Sequence, residues 1–376
     1  MTTSERVNSM SKRRYLSVVV LALAGLLAAG CGSSGGSSST TAASGGGSSS
    51  GGSYKIALLF PCSTCTSWIE SIAHPGMIAD VKALDPNAQV IYENANGDED
   101  KMVSDAESAI AQGAKVLIYE TLTPATGTAI AVKAAAANIP VIAFDGMVQG
   151  PDVKFYVSFD NNLVGSLQGK YLIDNLPKGS DVAIVNGLDQ GIGDVFKKGV
   201  QSALDPAFAD GTLKKAFETD TDWDPVTGQT KMTQALTATN DQIAGVVATN
   251  DGLAGGVVAA LQSRHLAGKV LVTGQDATIA GLQRILTGTQ SMTVFKNIAE
   301  EVSAAAKVAV GLAQGKPDAV SSVATSTTSN GTSEVPSLIL TPIAVTKANI
   351  QTVVDDKVFT WTQICNGIPA SDCEHQ

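Results

Sequence analysis

Positive charge is scarce in this sequence: 25 lysines and arginines stand against 35 acids among 376 residues, a formal net charge of −10. Nucleic-acid binding rewards basic patches, so that class is excluded. Aromatic residues make up only 5% of the chain, which leaves no platform for stacking bases. The three histidines, His74, His265 and His375, are scattered. They form no ligand set, and no metal or other cofactor is expected. The glycine-rich run Asp251-Gly-Leu-Ala-Gly-Gly256 lacks the lysine of a phosphate-binding loop and suits close helix packing instead.

Long apolar runs are also few, and the one at the N-terminus carries an address. Lys12-Arg13-Arg14 precedes Leu16–Leu27, and Ala28-Ala29-Gly30 leads into Cys31. A charged start, a short apolar stretch and small residues make a secretory signal peptide rather than a membrane span. Leu-Ala-Ala-Gly-Cys resembles the lipobox of bacterial lipoproteins, so residues 1–31 are expected to end in a lipidated Cys31. Residues 32–53 are almost wholly Gly, Ser, Thr and Ala, a flexible tether with a reach of roughly 25 Å. The mature protein is expected outside the cytoplasm, anchored to the outer face of the membrane.

Cysteine usage fits that compartment. Cys62, Cys65, Cys365 and Cys373 remain once Cys31 is set aside, and an even count outside the cytoplasm suggests disulfides. Local pairing, Cys62–Cys65 and Cys365–Cys373, is preferred among three connectivities. A redox-active Cys-x-x-Cys motif or half of a zinc site stays open for Cys62-Ser-Thr-Cys65, though no second such motif or histidine pair accompanies it.

From Tyr54 onward short β-type runs alternate with helical patterns, the signature of an α/β fold with parallel sheets. Strands are expected at Lys55–Phe60, Gln89–Glu93, Val116–Tyr119 and Val141–Phe144, with a second series from near Phe155. The length after residue 53 exceeds one usual core, so two lobes around a cleft are expected. Val320–Asn330 is Ser/Thr-rich and suggests a loop. Leu338-Ile-Leu-Thr-Pro-Ile343 suggests a strand interrupted at Pro342, and Lys347–Gln376 a locally packed tail.

Three segments of the second series bear most on function: Val247-Ala-Thr-Asn-Asp-Gly, Val272-Thr-Gly-Gln-Asp-Ala and Met292-Thr-Val-Phe-Lys. Each is an apolar run ending on a polar residue ahead of a helix. In parallel α/β sheets the carboxyl ends of strands converge on one crevice, where ligands bind. Asn250, Asp276 and Lys296 would deliver an amide, a carboxylate and an ammonium there. Hydroxyl groups both donate and accept, so the set suits a polyhydroxylated ligand and supplies no nucleophile–base pair.

From Tyr54 to about residue 365 the chain resembles the periplasmic sugar-binding proteins of ABC importers, and most closely their xylose-binding branch. The resemblance rests on Glu93-Asn-Ala-Asn-Gly, Val141-Ile-Ala-Phe-Asp, Phe155-Tyr-Val-Ser-Phe-Asp-Asn, Thr273-Gly-Gln-Asp-Ala, Gly288-Thr-Gln-Ser-Met-Thr-Val-Phe-Lys and Pro336-Ser-Leu-Ile-Leu-Thr-Pro-Ile. It implies two Rossmann-like lobes, 54–157 with 297–342 and 158–296 with 343–376, joined by crossovers near 157–159, 296–298 and 341–344. It implies ligand contacts at Asp145, Asn250, Asp276 and Lys296, stacking by Trp223, and Trp68 facing it from the other lobe. A monomer serving an ABC permease follows from the same likeness. The departures matter too. Gly146 stands where the family places an arginine, and Asp194 falls near a second one. Arginine's fixed fork has no substitute in Gly or Asp. Glu120 adds another acid, and Cys62-Ser-Thr-Cys65 changes the first loop. D-xylose is therefore doubtful, and an acyclic tetritol or pentitol is a candidate.

Other classes compete. Asp145 with Asp276 could act as a hydrolase pair, but the resemblance opposes an enzyme. A sugar-responsive repressor shares these lobes but needs an N-terminal DNA-binding helix pair, where a signal peptide stands. A receptor presenting its ligand to a membrane sensor kinase is the alternative to transport. Asp276, Asn250 and Asp145 could also be no more than capping or turn residues.

Overall fold

The computed structural model describes residues 52–63, 66 and 68–373. The signal-peptide segment, Cys31, all but the last two residues of the 32–53 tether, and Cys65 lie outside them. The chain opens with β1 (Tyr54–Phe60), a π-helical turn (Ile69–Ala73), α1 (His74–Leu84), β2 (Ala88–Asn94), α2 (Glu99–Ala111), β3 (Ala114–Tyr119), α3 (Pro124–Ala136), β4 (Val141–Phe144) and β5 (Val153–Phe159). It continues through α4 (Asn161–Asn175), β6 (Ser180–Val185), α5 (Ile192–Ala209), β7 (Leu213–Thr219), α6 (Pro225–Ala238), β8 (Gly245–Ala248), α7 (Asp251–Ser263), β9 (Leu271–Val272), α8 (Ile279–Leu286) and β10 (Thr293–Phe295). Next come α9 (Ile298–Ala313), α10 (Asp318–Ser321), β11 (Ser326–Ser329) and β12 (Glu334–Leu340). The chain ends with β13 (Ile343–Val345), α11 (Gln351–Asp355) and α12 (Trp361–Cys365).

Seven strands form one sheet in the order β11-β12-β5-β4-β3-β1-β2, parallel except for the β11–β12 edge. Strands buried on both faces read as continuous apolar runs, and β1 shows how such a run divides. Ile56, Leu58 and Phe60 point to the core shared with α1 and α9, while Ala57 and Leu59 point to the core under α2 and α3. This is the two-residue alternation of a strand feeding two cores at once. A second parallel sheet runs β7-β6-β8-β9. Val182 and Ile184 face Leu172, Val200 and Leu204 on one side, and Ala183 and Val185 face Met232 and Leu236 on the other. A bridge between Gln275 and Val294 carries this sheet on to β10, which pairs antiparallel with β13.

The chain leaves the first sheet after Phe159, returns to it at α9 after Lys296, and leaves again after Leu340. The first and third passages touch, since Asp160 N donates to Leu340 O at 2.9 Å. Phe155 does not open a second series, because β5 is an inner strand of the first sheet, and the next series starts at α4. The Ser/Thr-rich stretch 320–330 is not all loop: it carries the end of α10 and β11, an exposed edge strand on which β-branched threonines suit a half-solvated surface. Pro342 sits in the break between β12 and β13, where no ladder bond is needed. The tail packs against α8, with Gln283 Nε2 donating to Ile364 O and Asn366 O. Cys365 and Cys373 are joined in a disulfide, Cα atoms 5.8 Å apart. Cys62 is also disulfide-bonded.

Candidate ligand-binding site

The carboxyl ends of both sheets face one cavity. Glu120 follows β3, Asp145 follows β4, Asn250 lies two residues past β8, and Lys296 follows β10; with Asp276, Trp68 and Trp223 they all line this space. Asp145 is held most closely. Its backbone is left-handed, with φ of 54°. Its N–H donates to Val157 O at 3.0 Å and to Glu301 Oε1 at 2.8 Å. Its carbonyl accepts from Ser158 Oγ at 2.6 Å and Tyr156 OH at 3.2 Å, and Asn161 Nδ2 in turn donates to Ser158 Oγ. Its carboxylate Oδ1 accepts from Lys296 Nζ at 2.9 Å.

Lys296 is 1% exposed, with its ammonium 3.9 Å from Asp276 Oδ1 and near the faces of Phe159 and Phe196. Burial works against its charge, but Asp145, Asp276 and Glu301 outweigh it and hold its pKa above the ordinary value. The acids carry the opposite strain. Burial pushes the Asp276 pKa up to about 7, opposed by Lys296 and reinforced by Asp251 and Asp145. Burial first, then the Asp145 charge, also raises Glu120 and Glu301 well above the carboxylate range. Glu120 Oε2, Asp276 Oδ1, Gln275 Oε1 and Glu301 Oε2 are buried without a hydrogen-bond partner among the described residues. The cavity therefore has spare acceptors.

Asn250 has two tasks. Its Oδ1 caps α7 by accepting from Leu253 N at 2.8 Å, which leaves Nδ2 for the cavity. Its neighbour Asp251 turns away, accepting from Thr278 N and Gln290 Nε2, with Arg284 closing the network on its carbonyl. The two indoles are seated differently. Trp68, 2% exposed, meets Phe60 edge-on and packs at a tilt on Phe144. Trp223 takes a left-handed φ of 69° between Asp222 and Asp224 and meets Phe196 edge-on. Gly187 makes room for it: a Cβ there would stand 2.1 Å from the indole Cη2.

Asp194 is a correction. It lies in the first turn of α5, outside the cavity, and pairs with Lys198 at 2.6 Å on a half-exposed surface. An acid in a first turn with a lysine four residues on is stabilised by the helix itself. The loop residues before it, Gln190 and Gly191, face the cavity instead. Two contributors escaped the sequence reading. Gln275 stands beside a recognised aspartate. Glu301 is one of two acids opening α9, a pattern that signals helix capping and does not say which acid turns inward.

Residues 56–317 match the periplasmic binding protein domain. The chain belongs to this family. It is a family of solute-binding proteins, not enzymes, which removes the hydrolase reading. Among relatives, the D-xylose-binding periplasmic protein of Escherichia coli K12 is 38% identical over 277 residues, 73% of this chain and 83% of that one. The xylitol-binding protein of Mycolicibacterium smegmatis is 26% identical over 241 residues, 63% of this chain and 67% of its own. A carbohydrate transporter solute-binding protein from Chloroflexus aurantiacus, solved in complex with D-glucose, superimposes with a TM-score of 0.75 at 27% identity, covering 83% of this chain and 98% of that one. The α/β architecture with mainly parallel sheets is the one these binding proteins share. Among the described residues no helix is long and apolar enough to cross a membrane.

Proposed function

We propose that this binding protein captures a small sugar or sugar alcohol of the pentose, tetritol or pentitol class outside the cytoplasm and hands it to an ABC permease. The observation that carries the reading is the cavity walled by Glu120, Asp145, Asn250, Asp276 and Lys296 and bounded by Trp68 and Trp223, polar groups converging under aromatic faces. Such a set, few placed polar groups against apolar walls, is how small-molecule sites fix orientation.

Capture proceeds by closure of the lobes 54–157 with 297–342 and 158–296 with 343–376 about their three neighbouring passages, a hinge mode in which contacts from both sides are completed together. The protein acts as a monomer, with Cys31 as its lipid anchor and residues 32–53 as its tether. The polyol form of the reading draws on Gly146, which brings no guanidinium to the cavity, and on the likeness to a xylitol-binding relative. Titration calorimetry with xylose, ribose, xylitol, erythritol and threitol tests it. Tight binding of a polyol and not of xylose is the expected result. Xylose binding at equal strength would mean that other groups replace the missing arginines, and silence with all five would sink the ligand class.

A further inference from the structure

With its acids ionised, the cavity carries unbalanced negative charge. Lys296 is the one cation lining it among the described residues, and its ammonium is engaged by Asp145 at 2.9 Å. Asp276 and Glu120 remain, 6% and 9% exposed, each with a carboxylate oxygen that accepts no hydrogen bond, that of Asp276 standing 3.9 Å from the shared Lys296 ammonium, and Gln275 Oε1 adds a third such acceptor in the same wall. Burying unpaired acceptors is costly, and burying unpaired charge more so. The neutral donors facing these acceptors are side-chain amides, among them Asn250 Nδ2, and none of them carries charge. A neutral polyol would satisfy these acceptors with hydroxyl protons but would leave the excess negative charge unmatched.

We propose that the ligand bears a primary ammonium seated between Glu120 and Asp276, making it an amino sugar or an aminated polyol. The inference rests on the reading of the protein as a receptor for small carbohydrates and narrows it. An ammonium is three donors and no acceptor, and it meets three orphan acceptors. It also supplies the missing positive charge where the low dielectric makes that charge worth most. Trp223 and Trp68 offer faces that attract a cation. The ionisable groups concerned are Glu120, Asp145, Asp276, Lys296 and the exposed Asp222 in the wall, with Glu301, Asp251 and Tyr156 packed behind them. In the empty cavity burial favours the protonated over the charged form of these acids, and a bound cation opposes that preference. It lowers their pKa values and displaces protons.

The test is calorimetry on the full chain near pH 7 with two matched pairs, xylitol against 1-amino-1-deoxyxylitol and D-glucose against D-glucosamine, in two buffers of different ionisation enthalpy. The expected result is at least tenfold tighter binding of an amine than of its hydroxyl parent, with net proton release. Glu120→Gln and Asp276→Asn should shrink that ratio, each variant being checked for an unfolding transition like that of the parent. Equal or tighter binding of the neutral partner, without proton release, overturns the ammonium and leaves carbohydrate capture standing. Binding of none of the four overturns both.

Discussion

The role of Trp223 depends on what its neighbours lack. Gly187 leaves the space its indole occupies, since a methyl group there would fall 2.1 Å from Cη2, far inside contact distance. An alanine at that position must therefore push the ring out of the cavity wall. Stacking of an aromatic face contributes about 0.5–1.5 kcal/mol beyond burial, a few-fold to about tenfold in affinity. Gly187→Ala and Trp223→Ala should each weaken ligand binding by about that factor. The double variant should be no weaker than Trp223→Ala, because the glycine acts only through the ring. A double-mutant cycle by calorimetry checks this; additive losses would show that Gly187 contributes by another route.

Elements set the site because each strand end passes into a helix start, and at Asn250 the two demands meet in one side chain. Its Oδ1 caps α7 and its Nδ2 faces the cavity, so substitutions can separate the roles. Asn250→Ser keeps a capping oxygen and should cost little stability while weakening ligand capture. Asn250→Ala should lose about 1 kcal/mol of stability as well, measured by denaturant unfolding. A serine variant that binds as tightly as the parent would reduce Asn250 to a cap. The same strand-end logic explains what the sequence disclosed. Ile56–Phe60, Val141–Phe144 and Val246–Ala248 are apolar throughout, so their strands and the polar residues that end them could be read directly. β11 could not, because Ser326–Ser329 has no apolar face and is a strand only through its pairing with β12. Asp194 was misplaced by a few residues of loop, because nothing in Gly187–Gly193 says where α5 begins. Glu301 was invisible because its function depends on which side of α9 meets Asp145, a matter of helix rotation set by long-range packing.

On the closure of the lobes proposed above, with the enclosed acids of this structure taken as those of the closed form, closure and acidity are linked. The cavity walls come from both sheets, so opening the lobes would hydrate Asp276, Glu120 and Lys296 together. In the closed form Asp276 has its pKa raised from 3.8 to about 7 by burial; in a hydrated, open form it returns toward the ordinary value. The closed form thus binds the proton more strongly. Ligand-free closure is favoured in acid and lost as pH rises from about 4 through about 7, the direction required when the compact state holds the higher carboxyl pKa. Glu120 is raised in the same sense and deepens the effect. Without ligand, the radius of gyration from small-angle X-ray scattering should grow between pH 5 and pH 8. Asp276→Asn, which tolerates the left-handed φ of 94°, should flatten that dependence. Saturating ligand should restore the compact value at pH 8, because it satisfies the same acceptors that protons satisfy at pH 5. A radius that ignores both pH and ligand would refute the coupling, since burial of those acids would then cost the closed form nothing that opening could relieve.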